Sequence, residues 1–383
     1  MSLTEKHEIS LLERGFSRRS LGRIAGMVAA GGAAPFFSEH ALAQQAERRM
    51  MRGPTPAGAV RISSNENPLG PSKEGLEALY KVAPHGGRYS PFNETPEMAK
   101  AIAEVEGVKE DYVMPTAGSS DPLMRSACAF TSPTRSWVMA DPGYGGGAPD
   151  YIGSKVVRVP LRADFSHDVE AMIKADPDAG AYYVCNPNNP TGTITARKDI
   201  EYLLAYKKND AVVVVDEAYI HFSGSAQPAS DLVAADKDVV ILRTFSKLYG
   251  MAGIRSGCAI GRPDLLAKMN RYGGGRVPIT AAACTTASVR AKSLIADRRA
   301  INKQIREDTL EFLEKKKFQY IPSETSFFLI EVNRPGGEVA QMMAKEKVII
   351  GRTWPVWPTK VRVSVGTQEE MDKFKAAFDK VMS

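Results

Sequence analysis

Four short apolar runs constrain this chain more than any other feature: Trp137-Val138-Met139-Ala140, Tyr182-Tyr183-Val184-Cys185, Val212 to Val215 and Val239 to Leu242. None alternates apolar with polar residues. Each is therefore expected to be buried on both faces, as central strands of a parallel sheet are. Each is closed by polar or turn-forming residues, namely Asp141-Pro142, Asn186-Pro187, Asp216-Glu217 and Arg243-Thr244. Open α/β sheets bind ligands beyond the carboxyl ends of their strands. The closing residues should thus converge on one edge, and chemistry should be sought there. Loops and helical patterns separate the runs, which predicts a three-layer α/β/α unit with a mostly parallel sheet.

From about residue 286 the pattern changes. Ala291 to Lys317 is a long, charged amphipathic stretch, followed by Ser326-Phe327-Phe328-Leu329-Ile330 and the alternating Val361-Arg362-Val363-Ser364-Val365. These predict a smaller α+β domain. The 383 residues, 43% hydrophobic, supply core enough for about two domains. The expected division is a leader over 1–43, an arm over 44–75, a large domain over 76–285 and a small one over 286–383.

Other classes are excluded more simply. The formal charge is only +6, and the single basic triplet, Lys315 to Lys317, reads as a solvated helix end, so no nucleic-acid partner is expected. Cys128, Cys185, Cys258 and Cys284 form no C-x-x-C pair, which argues against zinc and dithiol chemistry. The body has no apolar run of about 20 residues, so no stable membrane insertion is expected.

At the N-terminus, Ser17-Arg18-Arg19-Ser20-Leu21 precedes a weakly apolar stretch, Ile24 to Phe37, that ends near Ala41-Leu42-Ala43. This order resembles a bacterial twin-arginine export signal, with cleavage expected between Ala43 and Gln44. It implies a periplasmic or otherwise exported protein that crosses the membrane folded. The competing reading, an amphipathic helix docked on the body, is disfavoured by the Gly- and Ala-rich composition and by Pro35.

Three segments carry the chemistry. Thr244-Phe245-Ser246-Lys247-Leu248-Tyr249-Gly250 sets a lysine among hydroxyls just after a strand, with Arg255 downstream. Asp216 ends an all-valine strand and is followed closely by Tyr219. Asn186-Pro187-Asn188-Asn189-Pro190-Thr191-Gly192 is a rigid, amide-bearing turn. A carboxylate ending so apolar a strand needs a partner, because an unpaired buried charge is costly.

In these residues the chain resembles the fold-type I pyridoxal-phosphate aminotransferases, in particular their histidinol-phosphate aminotransferase-like branch, over about residues 60–383. The resemblance implies pyridoxal 5′-phosphate as cofactor, held as a Schiff base by Lys247, whose freed amine then moves the substrate's α-proton. It implies that Asp216 pairs with the pyridine nitrogen, that Asn189 and Tyr219 bond the ring hydroxylate, and that Tyr144 stacks on the ring. Ser119, Ser120 and Asp121 would open a helix toward the phosphate, with Thr244, Ser246 and Arg255 completing the cup. Tyr89 would reach the phosphate of a neighbouring subunit, so a homodimer with a shared site is implied. Arg362 would clamp the substrate α-carboxylate and Arg352 a distal phosphate, while Asn67 lies in the segment Ser64 to Pro71 that closes over substrate.

The implied activity moves an amino group from an L-amino acid to a 2-oxo acid such as 2-oxoglutarate. Aromatic amino acids, histidine and histidinol phosphate lead as donors, although export argues against a biosynthetic role. A PLP-dependent oxidase, decarboxylase or racemase shares the same residues. A ligand sensor is disfavoured, because about 60 residues before the first motif leave little room for a DNA-binding module. Departures from the branch are Ser90-Pro91-Phe92 after Tyr89, Ser326 in place of an asparagine, and Trp354 and Trp357 beside Arg352. The glycine runs Gly145-Gly146-Gly147 and Gly273-Gly274-Gly275 remove side chains that would otherwise flank the site, widening or loosening it. No role follows for His85, His167 or His221.

Overall fold

A computed structural model describes residues 4–29, 55–145, 147–273 and 275–383. The expected cleavage site, Ala41 to Ala43, lies outside them, as do Gly146 and Gly274. The strands are β1 (Val60–Ile62), β2 (Val113–Thr116), β3 (Trp137–Asp141), β4 (Val156–Pro160), β5 (Ala181–Cys185) and β6 (Val212–Asp216). Then come β7 (Val239–Thr244), β8 (Gly257–Gly261), β9 (Tyr320–Ile321), β10 (Phe327–Glu331), β11 (Val348–Ile350) and β12 (Lys360–Ser364).

The expected apolar runs became β3, β5, β6 and β7 of a seven-stranded sheet in the order β2-β8-β7-β6-β5-β3-β4. β8 runs antiparallel to both β2 and β7, and the remaining pairings are parallel. Every residue of β6 is buried, and its alternating side chains feed two cores. Val213 and Val215 pack with Tyr182 and Val184 and with Met98, Ile102, Ile200 and Leu203 of the helices on that face. Val212 and Val214 pack on the opposite side with Tyr183, Cys185, Leu123, Ala127 and Met269. Burying each such valine contributes about 1.5–3 kcal/mol, which explains why no polar residue interrupts the runs.

The N-terminal segment behaves unlike the expectation from its composition. Helices Glu5–Glu13 and Arg18–Ala29 lie on the large domain, with Leu11, Phe16, Ile24, Met27 and Val28 buried in the same core as Leu123, Trp137 and Ile152. Ser20, Ile24, Met27 and Val28 recur at the three- and four-residue spacing that makes one helical face, and this periodicity outweighs the weak propensity of Gly22 and Gly26. Arg14 bonds the Tyr272 hydroxyl at 2.9 Å and the Cys128 carbonyl at 2.7 Å, while Arg18 and Arg19 stay exposed.

The C-terminal part holds an antiparallel sheet, β12-β10-β9, and a parallel pair of β1 with β11. Val60 and Ile62 thereby join the core of Phe328, Val363, Phe374 and Phe378, so part of the expected arm packs with the C-terminal elements. Among the described residues no helix is long and apolar enough to cross a membrane.

Candidate active site

The carboxyl ends of β5, β6 and β7 bring the predicted residues together. Asp216 is buried at the end of β6, where the Tyr183 hydroxyl donates to Oδ2 at 2.8 Å and the Ala218 N–H to Oδ1 at 3.2 Å. Burial pushes its carboxyl up to about 6, against the pull of Tyr183, Ala218 N–H and Lys247. Behind it lies an ion cluster that sequence reasoning missed. Arg243 is fully buried between Glu217 at 2.9 Å and Glu106 at 2.7 Å, which anchors the ends of β6 and β7.

Lys247 follows β7 and stands half-buried over the Tyr219 ring, 5.6 Å from its centroid, with Nζ 3.3 Å from the Ser64 carbonyl. Burial, then the positive charges of Arg362 and Arg255, lower its ammonium to about 8, although Glu66 and Asp216 oppose this. An amine with that pKa is about one-tenth uncharged at pH 7, far more than an ordinary lysine, and the uncharged form is the one that attacks a carbonyl or takes a proton.

A phosphate-sized anion has a cup beside it. Helix Ser120–Phe130 opens after Ser119, whose side chain makes no capping bond, so first-turn N–H groups point outward. Arg255 reaches the Ala117 carbonyl at 3.5 Å, and a Cβ on Gly118 would lie 2.5 Å from its guanidinium. Glycine is required there for the cation to approach the helix. Thr244 and Ser246 hydroxyls bond one another at 3.0 Å on the adjoining turn. The Asp121 carboxylate is taken by Arg125 at 2.8 and 2.7 Å, which leaves its backbone N–H to face an anion.

On the other side, Arg362 of β12 is buried between the Phe327 and Trp354 rings, 5.5 Å from each centroid. It donates to Asn189 Oδ1 and to the Ser63 carbonyl, both at 2.9 Å. Its Nε and the Ser326 hydroxyl are buried without a hydrogen-bond partner among the described residues. A carboxylate would satisfy the free edge of that guanidinium. Asn65, quoted in the sequence motif but given no role, donates to the Tyr219 hydroxyl at 3.0 Å and accepts from Ser364. Its φ of 53° lies in the left-handed region that asparagine tolerates, and nothing in the sequence singles it out from Asn67.

The remaining predicted residues are placed as follows. Asn67 ties the N-terminal segment down through Nδ2 to the Leu248 carbonyl at 2.8 Å. Arg352 lies over Trp354, 4.9 Å from its centroid, so the tryptophan ring touches two arginines. Tyr144 is 46% exposed near Tyr183, Tyr219 and Arg362. Tyr89 is 85% exposed, with Arg276 against its ring. Of the two glycine runs, Gly145 and Gly273 each leave room for a neighbouring side chain: a Cβ on Gly145 would meet the Tyr183 ring, and one on Gly273 the Arg125 guanidinium.

The sequence model of the family Aminotransferase class I and II matches residues 58–378. The chain belongs to that family. It is 30% identical over 333 residues to the histidinol-phosphate aminotransferase of Moorella thermoacetica, covering 85% of this chain and 86% of that protein. Against histidinol-phosphate aminotransferase 2 of Pseudomonas aeruginosa it is 33% identical over 346 residues, covering 86% and 91%. The fold matches the histidinol-phosphate aminotransferase of Sinorhizobium meliloti, solved in complex with pyridoxal-5′-phosphate, with a TM-score of 0.76 at 22% identity, covering 91% and 95%.

This aminotransferase is a pyridoxal-phosphate-dependent enzyme of fold type I, with an amino acid and an oxo acid as substrates. Its residues fit the cofactor on structural grounds. Among the described residues a buried carboxylate at a strand end has no ion-pair partner, a lysine stands near it, and a cup of N–H, hydroxyl and guanidinium donors lies next to both.

Proposed function

We propose that this aminotransferase moves the amino group of an aromatic amino acid, histidine or a histidinol-phosphate-like donor to 2-oxoglutarate or a similar 2-oxo acid, with Lys247 as the Schiff-base lysine. The observation that carries this is the convergence of Lys247, Asp216 and Arg362 around one space, each from a different element. The bound cofactor supplies an electron sink for the bond broken at the substrate's Cα. Asp216 would hold positive charge at the ring nitrogen, and Ser119, Ser120, Thr244, Ser246, Arg255 and the Asp121 N–H would hold the phosphate. Tyr219 and Asn189 would hydrogen-bond the ring hydroxyl, and Tyr144 would stack on the ring. Arg362 takes the α-carboxylate in a bidentate grip that fixes the substrate's orientation. The Lys247 amine, uncharged above about pH 8, takes the α-proton and returns it. Arg352 and Trp354 face the distal end of the donor, a cation and an aromatic wall suited to a phosphate or a ring.

The test is a panel of L-amino acids and histidinol phosphate added to holoenzyme, with 2-oxoglutarate as acceptor. Donor-dependent bleaching of the visible cofactor band, restored by the oxo acid and lost in Lys247→Ala, is the expected result. Ammonia, CO₂ or D-amino acid release without an acceptor would instead place the enzyme among oxidases, decarboxylases or racemases.

The same reading includes a homodimer with Tyr89 shared between copies, and export by the twin-arginine route. The Arg18-Arg19 pair on an exposed helix surface supports export. Cell fractionation of the full chain should find activity outside the cytoplasm, and an Arg18→Lys, Arg19→Lys variant should retain it inside.

A further inference from the structure

Tyr183 of β5 pairs with Val214 of β6, two residues back from the Cys185–Asp216 pair. Side chains alternate across a strand, so Tyr183 and Asp216 stand on the same sheet face as diagonal neighbours, within reach of a long aromatic side chain. The contact is made: the tyrosine hydroxyl donates to Oδ2 at 2.8 Å. The ring has little freedom. It is 1% exposed and packs on Trp137 with centroids 5.3 Å apart. It also lies so close to the Gly145 backbone that a Cβ there would stand 2.6 Å from two ring carbons. The glycine that the sequence alone presents as a loosened pocket wall is therefore the space a buried tyrosine occupies.

A hydroxyl donated to a carboxylate favours its charged form. Other influences on Asp216 are the Ala218 N–H and Lys247, which also favour charge, and burial, which opposes it. Cys185 and Glu217 are the further titratable groups within its field. We propose that Tyr183 is a positioning residue: its hydroxyl keeps Asp216 charged and aimed at the cofactor's ring nitrogen, so that the proton shared there stays on nitrogen. The proposal rests on the reading of Asp216 as the ring-nitrogen partner. Gly145 belongs to the same device, because it sets where the ring lies.

The test is a spectrophotometric pH titration of the visible band in wild-type, Tyr183→Phe, Gly145→Ala and Asp216→Asn holoenzyme. A positive ring nitrogen repels a proton from the lysine–cofactor link, so weakening that charge raises the midpoint. Tyr183→Phe is expected to raise it by roughly half to one pH unit and to bind pyridoxal phosphate about tenfold less tightly. Gly145→Ala should shift it the same way, and Asp216→Asn further still. A merely structural tyrosine would change thermal stability and leave the midpoint in place. An unmoved midpoint in Tyr183→Phe, with Asp216→Asn shifted, overturns the role of Tyr183 and leaves the Asp216 reading standing. An unmoved midpoint in Asp216→Asn overturns the reading of Asp216, and the proposal with it.

Discussion

Lys247 shows how far a single residue can be read. Its flanking hydroxyls and its place after a strand mark it in the sequence, but its pKa depends on what the fold sets around it. Burial, Arg362 and Arg255 bring the amine down to about 8. Since only the uncharged amine attacks an aldehyde, cofactor capture by apoenzyme should speed up as pH rises to about 8 and then level off. An unperturbed lysine would keep accelerating toward pH ~10.4. Stopped-flow mixing of apoenzyme with pyridoxal phosphate across that range checks the sign directly. The role expected of Arg362 came from the family resemblance, whereas Asp216 was legible in the same way, as a charge ending a buried strand. Tyr183 was not. Within an all-apolar run it looks like core, and its hydroxyl acquires a task only when β5 and β6 align in register.

At the scale of elements, the parallel strands were the easiest to read, because a strand buried on both faces must be apolar throughout. The N-terminal helices were harder. Gly, Ala and a downstream proline described a poor helix, whereas packing was decided by where Ile24, Met27 and Val28 fall around the turn. Ile24→Ala in the full chain should cost 2–5 kcal/mol if the helix is docked in solution, as buried isoleucines elsewhere do. Urea unfolding measures this, and an unchanged midpoint would mean that the segment has come away from the large domain. Helix Ser120–Phe130 illustrates the opposite case. Its opening Gly118-Ser119-Ser120 was recognisable, but its anion-binding face also needs Arg255 from a distant turn.

For the whole molecule, the exposed Tyr89 is the residue that the proposed homodimer would share between copies. A homodimer with a shared site should sediment at twice the chain mass, and Tyr89→Phe should weaken pyridoxal phosphate binding about tenfold by removing one hydrogen bond to a charged phosphate. A monomer that binds the cofactor as tightly as wild type at high concentration would end that reading. The sequence by itself determined the four central strands and the order of the motifs along the chain, since these follow from local pattern and residue type, while the chemistry expected of the site came from the resemblance to a family. Only the tertiary structure decided that β1 joins the C-terminal core, that Trp354 meets two arginines and that a glycine makes room for Tyr183. Those outcomes depend on contacts between residues far apart in the chain, and local periodicity carries no information about such contacts until the strands are in register.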